Sequence, residues 1–221
     1  MIIAATESKG SWRLAEYPEY KAGRSAMPED LRIQIPYLKE IFGHLGIPLY
    51  SVEGYEADDV IATLAVKSEF DEVLIASGDK DLLQVVNDRI KILDTMKGKI
   101  IGREGVIEKF GVEPSQVADY LALVGDSSDN VPGAKGIGPK GAVELITEHK
   151  NIEALLRANL PEKMKTKIDA SRENIILSKR LVVLKTDLDV MYESNTTGLD
   201  NREELNAIFS SLSIKSLIKK F

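Results

Sequence analysis

The sequence Gly54-Tyr55-Glu56-Ala57-Asp58-Asp59-Val60-Ile61 places three carboxylates within four positions at the head of an apolar run. The run continues with helical spacing, which predicts a helix whose apolar face holds Val60, Ile61, Leu64 and Ala65. Acidic residues in a first helical turn stabilise the helix dipole by about 0.3–1 kcal/mol each, so these acids also have a purely structural explanation. Whether these acids also form a functional site depends on the rest of the chain.

Two further acidic pairs follow apolar runs in the same way. Asp79 and Asp81 come after residues 73–76, and Asp126 and Asp129 come after residues 120–124. Seven carboxylates gathered at the ends of buried elements would repel one another unless positive charge held them. Two divalent ions about 3.5–4 Å apart, bridging a scissile phosphate, need several such ligands. We therefore predict a metal site formed by Glu56, Asp58, Asp59, Asp79, Asp81, Asp126 and Asp129.

The residue types restrict which metal this site could hold. The chain has no cysteine, and its two histidines, His44 and His149, lie far apart in sequence. A thiolate zinc site is excluded and a histidine site is disfavoured. The sequence therefore predicts hard, oxygen-bound cations, Mg²⁺ or Mn²⁺.

The alternation of apolar strands and helices predicts an α/β fold with a mainly parallel central sheet flanked by helices. Residues 73–76 form a continuous apolar run, typical of a strand buried on both faces. Residues 90–93 and 99–101 flank the Lys97-Gly98 turn and predict a β-hairpin. Ligands gather at the carboxyl ends of parallel strands, where Asp79 and Asp81 would lie.

The later chain is predicted to be helical, over residues 114–124, 140–149, 152–158 and 172–184. A capping pattern at 200–203 opens a last helix through Leu212. We expect an α/β core over residues 1–112, a helical region over 113–185 and a C-terminal extension over 186–221.

Residues 133–142 are rich in glycine and predict a tight hairpin between two helices, with Pro139 at the first position of the second helix. Gly136 and Gly138 would leave backbone N–H groups free, and Lys135 and Lys140 add positive charge. Together these groups suit one phosphate of a nucleic-acid backbone. A plain helix–helix turn is the alternative, and the spacing of a P-loop is missing.

A third cluster mixes aromatic and cationic residues: Tyr17, Tyr20, Lys21 and Arg24. Aromatic rings can stack on an unpaired base, and cations can stabilise charge that develops on a transferred phosphate. Loop residues packing on their own segment are the competing explanation.

The net charge of −6 argues at first against a nucleic-acid partner. Its distribution reverses that inference, because residues 135–185 hold 11 Lys and Arg against 6 Asp and Glu, an excess of +5 that leaves −11 for the remainder. A metal-dependent enzyme acting on a polyanion would need such a division, although a charged run is often only a solvated face. No apolar run is long enough for a membrane span and no signal peptide is evident, so we expect a cytoplasmic protein without a membrane partner.

In order along the chain, five stretches resemble the motifs of the 5′ nuclease family, which includes the flap endonucleases. They are Tyr20-Lys21-Ala22-Gly23-Arg24, residues 54–59, Ser77-Gly78-Asp79-Lys80-Asp81, residues 125–130 and residues 133–138. The 5′-to-3′ exonuclease domain of bacterial DNA polymerase I is especially similar, over nearly the whole chain. The resemblance implies a PIN-like nuclease fold that cuts DNA near single-strand/duplex junctions with Mg²⁺ or Mn²⁺, in replication and repair.

The same resemblance implies roles for individual residues. The seven acids match the family's metal ligands, Lys21 and Arg24 match its transition-state cations, and Tyr20 matches its stacking residue. The hairpin matches a helix-three-turn-helix (helix-hairpin-helix) element that grips duplex backbone and holds a potassium ion. Its implied DNA contacts are Lys135, Gly136, Ile137, Gly138 and Lys140.

Two departures from the family pattern leave an alternative open. Family members open with a further segment whose first strand carries a metal-binding Asp, and nothing matching it precedes Met1. At a second family Asp this chain has Thr6, with Glu7 adjacent. The alternatives are a non-catalytic module that binds DNA junctions, or a subunit that depends on a polymerase or on another chain supplying the strand.

Overall fold

The computed structural model describes residues 1–192 and 201–218. The strands are β1 (Ala4–Ala5), β2 (Leu49–Tyr50), β3 (Val73–Ala76), β4 (Ile90–Asp94) and β5 (Lys99–Ile101). The α-helices are α1 (Trp12–Glu16), α2 (Glu29–Arg32), α3 (Ile35–His44), α4 (Ala57–Lys67), α5 (Arg103–Phe110), α6 (Val117–Val124), α7 (Pro139–His149), α8 (Ile152–Leu155), α9 (Glu162–Ala170), α10 (Arg172–Val182) and α11 (Arg202–Ser211). Short 3₁₀ helices cover Asp81–Val85 and Pro114–Gln116.

The strands pair in two small sheets within the part of the chain that the structure describes. β1 pairs with β2 in parallel, with Ala4 opposite Leu49. β3 pairs with β4 in parallel, with Val73 opposite Ile90, and β4 pairs with β5 antiparallel. The predicted α/β class, parallel pairing and β4–β5 hairpin are confirmed, and the carboxyl end of β3 leads directly into Asp79 and Asp81.

The prediction that the strand over residues 73–76 is buried on both faces is wrong. Ile75 is 6% exposed and packs in the main core with Ala62 and Ala65 of α4, whereas Leu74 is 51% exposed. Successive side chains of a strand point to opposite faces, so an apolar run does not by itself show that both faces are covered. Here α4 packs on the Ile75 face.

Helix α4 forms where the sequence predicts it, and its acidic first turn is positioned by packing on two sides. Ala62 and Ala65 belong to the main core, while Val60 and Leu64 pack with Leu188 in a second apolar cluster. The predicted single apolar face is therefore shared between two clusters. A helix held on both sides has little freedom to rotate, so the directions of its first-turn carboxylates are fixed.

The loop that carries Asp126 and Asp129 is closed by two glycines in close contact. Both Gly125 and Gly133 have positive φ, and a Cβ on Gly133 would lie 2.6 Å from the backbone nitrogen of Gly125. Asp126 and Val131 exchange backbone hydrogen bonds of 3.0 and 2.8 Å across the loop. A larger residue at Gly133 would collide with the backbone at Gly125, so the close contact between the two ends of the acidic loop requires glycine there.

The C-terminal helix forms as predicted. The predicted capping pattern begins at Asp200, which lies outside the described residues, and Asn201 makes no side-chain capping hydrogen bond. Helix α11 packs through Leu205 and Phe209, which are both buried. Across residues 1–192 and 201–218, no helix combines the length and the apolar character needed to cross a bilayer.

Candidate active site

An open cleft of about 320 Å³ lies at the carboxyl end of β3. It is lined by acidic and basic side chains from four parts of the chain: Arg24, Asp79, Lys80, Asp81, Lys109, Asp126 and Asp129, together with Gly78 and Ser128. The residues after β3 and after α6 therefore meet, as the sequence predicts. Lys109 was not predicted, because it lies on α5, a helix that the sequence pattern did not reveal.

Six of the seven predicted acids form one electrostatic neighbourhood. Asp58 interacts with Asp79 and Glu56, and Asp81 interacts with Asp79, Asp126 and Asp129. Asp59 is not part of this set, although it is the next residue after Asp58. The structure thus brings the three acidic stretches together, but Asp59 lies outside the group that they form.

Two acids at the edge of this neighbourhood are held by cations and by Tyr20. Glu56 lies 3.1 Å from Nη1 of Arg13 and 2.5 Å from Nζ of Lys21. Asp129 pairs with Arg24, and the Tyr20 hydroxyl lies 3.1 Å from both carboxylates. Glu56 and Asp129 therefore already have positive partners.

Asp126 is also neutralised, by groups close to it in the cleft. Its carboxylate lies 2.9 Å from Nζ of Lys80, and it accepts hydrogen bonds from the hydroxyl and N–H groups of Ser128 at 2.7 and 2.9 Å. Burial alone would raise the pKa of Asp126, but the Ser128 and Lys80 donors outweigh it and lower the pKa. Asp126 is therefore held in its charged form.

Asp58, Asp79 and Asp81 differ from these residues, since no salt bridge found within residues 1–192 and 201–218 involves them. Burial raises the pKa of Asp58 to about 7, and Asp79 and Glu7 add to the rise. Burial, followed by Asp79, raises the pKa of Asp81 to about 7 as well. The Oδ1 atom of Asp81 is buried without a hydrogen-bond partner. The nearby Lys21 lowers the pKa of Asp58 and Lys80 lowers that of Asp81, but burial outweighs both cations.

A divalent metal ion fits these three carboxylates by its chemistry. Unpaired carboxylate oxygens are the ligands that Mg²⁺ and Mn²⁺ prefer, and a bound cation would satisfy the orphaned Asp81 oxygen. In the described residues, however, no three His, Cys, Asp or Glu side chains converge closely enough to hold a metal as they stand. The donor set is present, and binding would have to draw the side chains together.

Asp59 faces away from the cleft, into the protein. It is 0% exposed and makes a two-point salt bridge with Arg13, with nitrogen–oxygen distances of 2.6 and 2.8 Å. It also accepts the N–H of Lys185 at 2.9 Å. Adjacent helical residues differ in direction by about 100°, which separates Asp59 from Asp58. The sequence pattern could not distinguish these two neighbours.

Lys21 and Arg24 lie where transition-state cations would be useful, at the acidic cleft. Lys21 has a left-handed backbone, with a φ of 58°, that is uncommon for residues other than glycine. Its N–H donates to the carbonyl oxygen of Asp129 at 3.0 Å, which fixes this turn against the acidic loop. The strained turn directs the Lys21 ammonium to Glu56.

The stacking role predicted for Tyr20 does not agree with its position. The side chain is 5% exposed, and burial raises the pKa of its hydroxyl, which stays protonated as a donor to Glu56 and Asp129. A ring inside the core cannot stack on an unpaired base in this arrangement. Tyr20 instead hydrogen-bonds Glu56 and Asp129, the two carboxylates that pair with Lys21 and Arg24.

Glu7 is a further acid at this site, to which the sequence assigned no role. It follows β1, just as Asp79 follows β3, and this position after a parallel strand is the signal that could have identified it. Partial burial and then the nearby Glu56 raise its pKa, while the Ala57 N–H and Lys21 lower it. Glu7 thus lies on the Thr6 side of the site and contributes negative charge there.

The glycine-rich hairpin lies between α6 and α7, with Pro139 at the first position of α7 as predicted. Ser178 and Ser171 accept the N–H groups of Gly133 and Lys135 at 2.9 and 3.1 Å. The Lys135, Gly136, Gly138 and Lys140 residues are exposed. Lys167 was missed by the sequence; its Nζ lies 3.1 Å from the carbonyl oxygen of Gly136 and adds positive charge.

The contact predicted for Ile137 is not available. Its side chain is buried, and its N–H donates to the carbonyl oxygen of Ala134 at 3.1 Å. An apolar residue between two glycines anchors the turn in the core. A phosphate would instead meet the exposed glycines and lysines on either side.

Comparison with known proteins gives this arrangement a family. The model of the 5′-3′ exonuclease N-terminal resolvase-like domain matches residues 1–111, and that of the 5′-3′ exonuclease C-terminal SAM fold matches residues 112–204. A 5′-3′ exonuclease of Aquifex aeolicus is 42% identical over 209 residues, which cover 92% of this chain and 72% of that protein.

A thermostable DNA polymerase I of Thermus thermophilus is 43% identical over 217 residues, covering 96% of this chain but 26% of the polymerase. The fold is similar to that of the bacteriophage T5 flap endonuclease in a pseudo-enzyme-product complex with DNA and metal ions. That match has a TM-score of 0.69 and 23% identity, and covers 96% of this chain and 82% of the other. The chain belongs to the 5′-3′ exonuclease family of nucleases.

Proposed function

We propose that this chain hydrolyses DNA phosphodiester bonds near junctions between a single strand and a duplex, as a 5′-3′ exonuclease and flap endonuclease. One observation carries the proposal: carboxylates without a cationic partner, including Asp79 and the orphaned Asp81, share a cleft with the cations of Arg24 and Lys80. The carboxylates can bind metal cations and the basic side chains can bind phosphate. The cleft therefore suits a metal-dependent reaction on a polyanion.

Asp58, Asp79 and Asp81 would hold two divalent ions, Mg²⁺ or Mn²⁺. Asp126 and Asp129 line the same cleft and would add negative charge beside the ions. When bound, such ions lower the pKa of the attacking water and stabilise charge on the leaving oxygen. The T5 relative with metal ions supports this assignment. Without metal, burial keeps the pKa of Asp58 and Asp81 near 7, so both are partly protonated at neutral pH.

Lys21 and Arg24 would act on the phosphate itself. Without substrate they pair with Glu56 and Asp129. Both side chains are partly exposed, and Arg24 lines the cleft. A phosphate oxygen would compete with these carboxylates for the two cations. Their charge, held in place by the left-handed turn at Lys21, would stabilise the charge that develops during hydrolysis.

The hairpin would bind the duplex side of the junction. Lys135, Gly136, Gly138 and Lys140 are exposed there, and the positive end of α7 faces the same turn. A monovalent cation, K⁺, would lie between this turn and the DNA backbone. The T5 structure with DNA supports a DNA substrate for this fold.

We also propose that the chain works beside a DNA polymerase. Its polymerase I relatives in Thermus thermophilus and Bacillus subtilis carry the matching segment within 26% of their length. Because an enzyme that works beside a DNA polymerase must reach the DNA, this proposal agrees with the cytoplasmic location expected from the sequence.

The test is a cleavage assay on a 5′-flap DNA with Mg²⁺, comparing wild type with Asp81→Asn and Asp71→Asn. Asp81→Asn should lower the cleavage rate by about 10²-fold or more, because a lost metal ligand removes several kcal/mol of transition-state stabilisation. Asp71 is an exposed Asp at the other end of β3, so Asp71→Asn should cleave like wild type. Equal rates for the two variants would refute the site assignment.

The alternative function is a module that binds DNA junctions without cutting them. Wild-type protein that binds branched DNA with a strong salt dependence, but leaves it intact in Mn²⁺ as well as Mg²⁺, would favour that alternative. A gain of cleavage on adding a chain that carries a further strand would instead indicate a subunit that depends on a partner.

A further inference from the structure

A buried ion pair joins the start of the chain to α4 and to the end of α10. Arg13 on α1 is 2% exposed, and its guanidinium bonds both carboxylate oxygens of Asp59. Such a pair is costly to bury unless all its remaining donors and acceptors are satisfied. Neither residue lines the cleft, and the proposed reaction assigns them no chemical step.

The other donors of Arg13 are all used. Its Nε donates to the carbonyl oxygen of Leu181 at 2.6 Å and its Nη2 to that of Val183 at 3.3 Å. These carbonyls lie at the carboxyl end of α10, where helical carbonyls lack intrahelical partners. The remaining bond, from Nη1 to Glu56 at 3.1 Å, reaches the acid that holds Lys21.

Asp59 is satisfied just as fully. Besides the two bonds from Arg13, it accepts the N–H of Lys185 at 2.9 Å and lies 3.4 Å from the indole nitrogen of Trp12. The Arg13 guanidinium and the Lys185 ammonium lie 4.7 and 4.8 Å from the centre of the Trp12 ring. Trp12 is the only tryptophan in the chain, so its fluorescence reports on this cluster.

Helix α10 also contacts the glycine-rich hairpin. Ser178, within α10, accepts the Gly133 N–H, and Ser171, which precedes the helix, accepts the Lys135 N–H. Both serines are buried. One helix therefore contacts the proposed phosphate-binding hairpin through its serines and Arg13 through its last carbonyls.

We propose that Arg13 and Asp59 are positioning residues for the nuclease reaction. The pair fixes Glu56, and with it the Lys21 ammonium, to the carboxyl end of α10, and so sets the position of the cleft relative to the hairpin that binds DNA. Asp59 acts through Arg13 and is not a metal ligand. This inference rests on the proposed function and concerns residues that its chemistry does not use.

The test compares Asp59→Asn with its matched control, Asp58→Asn, on the 5′-flap substrate. For Asp59→Asn we expect kcat to fall about 10- to 100-fold, the usual cost of losing a supporting residue, with the Mg²⁺ concentration for half-maximal rate unchanged. The emission of Trp12 should shift. For Asp58→Asn we expect the half-maximal Mg²⁺ concentration to rise about 10- to 100-fold and the Trp12 emission to stay as in wild type.

A second variant separates positioning from folding. Arg13→Met with Asp59→Leu removes both charges, and should melt at a higher temperature than either single variant because no buried charge is left unpaired. Its kcat should nevertheless stay about 10- to 100-fold low, since Glu56 and the α10 carbonyls have lost the Arg13 donors. Recovery of wild-type kcat would reduce the pair to a structural role and overturn the proposal.

The proposal also fails if Asp59→Asn raises the half-maximal Mg²⁺ concentration as much as Asp58→Asn and leaves Trp12 emission unchanged. That result would make Asp59 a metal ligand. If the wild-type protein does not cleave DNA, the proposed function fails separately. Titration of the metal-free variants with Mg²⁺, followed by melting temperature and Trp12 emission, would then still decide whether Asp59 supports Arg13 or binds metal.

Discussion

Asp58 and Asp59 are adjacent, identical residues in the first turn of α4, yet their surroundings are opposite. Asp59 is buried among donors from Arg13, Lys185 and Trp12. Asp58 has no cation within salt-bridge distance among the described residues, and burial raises its pKa to about 7. The difference shows that an acidic motif can combine a residue that stabilises the fold with one that destabilises it until a ligand binds.

The same division extends across the cleft. Glu56, Asp126 and Asp129 have positive partners, whereas no salt bridge within the described part of the chain involves Asp79 or Asp81. For Asp81, burial raises the pKa to about 7 and so disfavours the charged form. The paired acids therefore hold the basic side chains in position, and the unpaired acids are available to a metal.

Arg13→Met should destabilise the protein most. It leaves the buried Asp59 without its ion-pair partner, which typically costs about 3–5 kcal/mol. The free energy of unfolding in urea measures this loss. Arg32→Met is the control, since Arg32 pairs with Glu29 on the surface and exposed pairs contribute about 1 kcal/mol or less. Equal losses in the two variants would contradict a special role for the Arg13 pair.

Lys21→Ala should reduce kcat on the flap substrate by about 10²–10³-fold, the cost of removing a group that stabilises developing charge. Its folding stability should change less than that of Arg13→Met, because the buried Glu56 keeps the Arg13 and Tyr20 donors when Lys21 is removed. Lys91→Ala, at an exposed pair with Glu72, is the control and should keep the wild-type rate. A Lys21 variant with unchanged kcat would show that the cation on Glu56 does not act on the phosphate.

Mg²⁺ should bind the wild-type protein about 100-fold more tightly at pH 8 than at pH 6, about tenfold for each of two carboxylates that must lose a proton. Metal ligands must lose their protons, and burial raises the pKa of Asp58 and Asp81 to about 7. Isothermal titration without DNA measures this affinity. Asp58→Asn should show a smaller pH dependence, and an affinity independent of pH in wild type would argue that other acids bind the metal.

The local parts of the fold could be predicted from the sequence because neighbouring residues determine them. Helix α4, the β4–β5 hairpin and Pro139 at the start of α7 follow from apolar spacing and turn residues. Helices α5 and α9 were missed because each buries a single residue, Val106 or Ile168, and so lacks an apolar stripe.

Most of the acids at the site were predicted from the sequence, but Glu7 and Lys109 were missed, and the inward direction of Asp59 was not foreseen. The position of acids after strands and helices indicated which residues meet. The partner of Asp59, however, is Arg13, and the partners of Arg13 include Leu181, which is 168 positions away in sequence. No local pattern carries that information. The same holds for Tyr20 and Ile137, whose burial depends on packing against distant parts of the chain.

The most direct test of the division between paired and unpaired acids is the unfolding of Asp58→Asn and Asp59→Asn in urea with EDTA at pH 8. The folded state raises the pKa of Asp58 from 3.8 to about 7, so its favourable contribution is present below pH 3.8 and lost as the pH rises through 7. Replacing it with neutral Asn should stabilise the metal-free protein at pH 8 by on the order of 2 kcal/mol.

This gain should shrink as the pH is lowered from 8 to 5. Asp59→Asn should instead destabilise the protein at pH 8, by about 3 kcal/mol, because it leaves the Arg13 guanidinium buried without its counter-charge. Opposite signs for the two neighbours are the predicted result. Destabilisation by both substitutions, or by neither, would contradict the account.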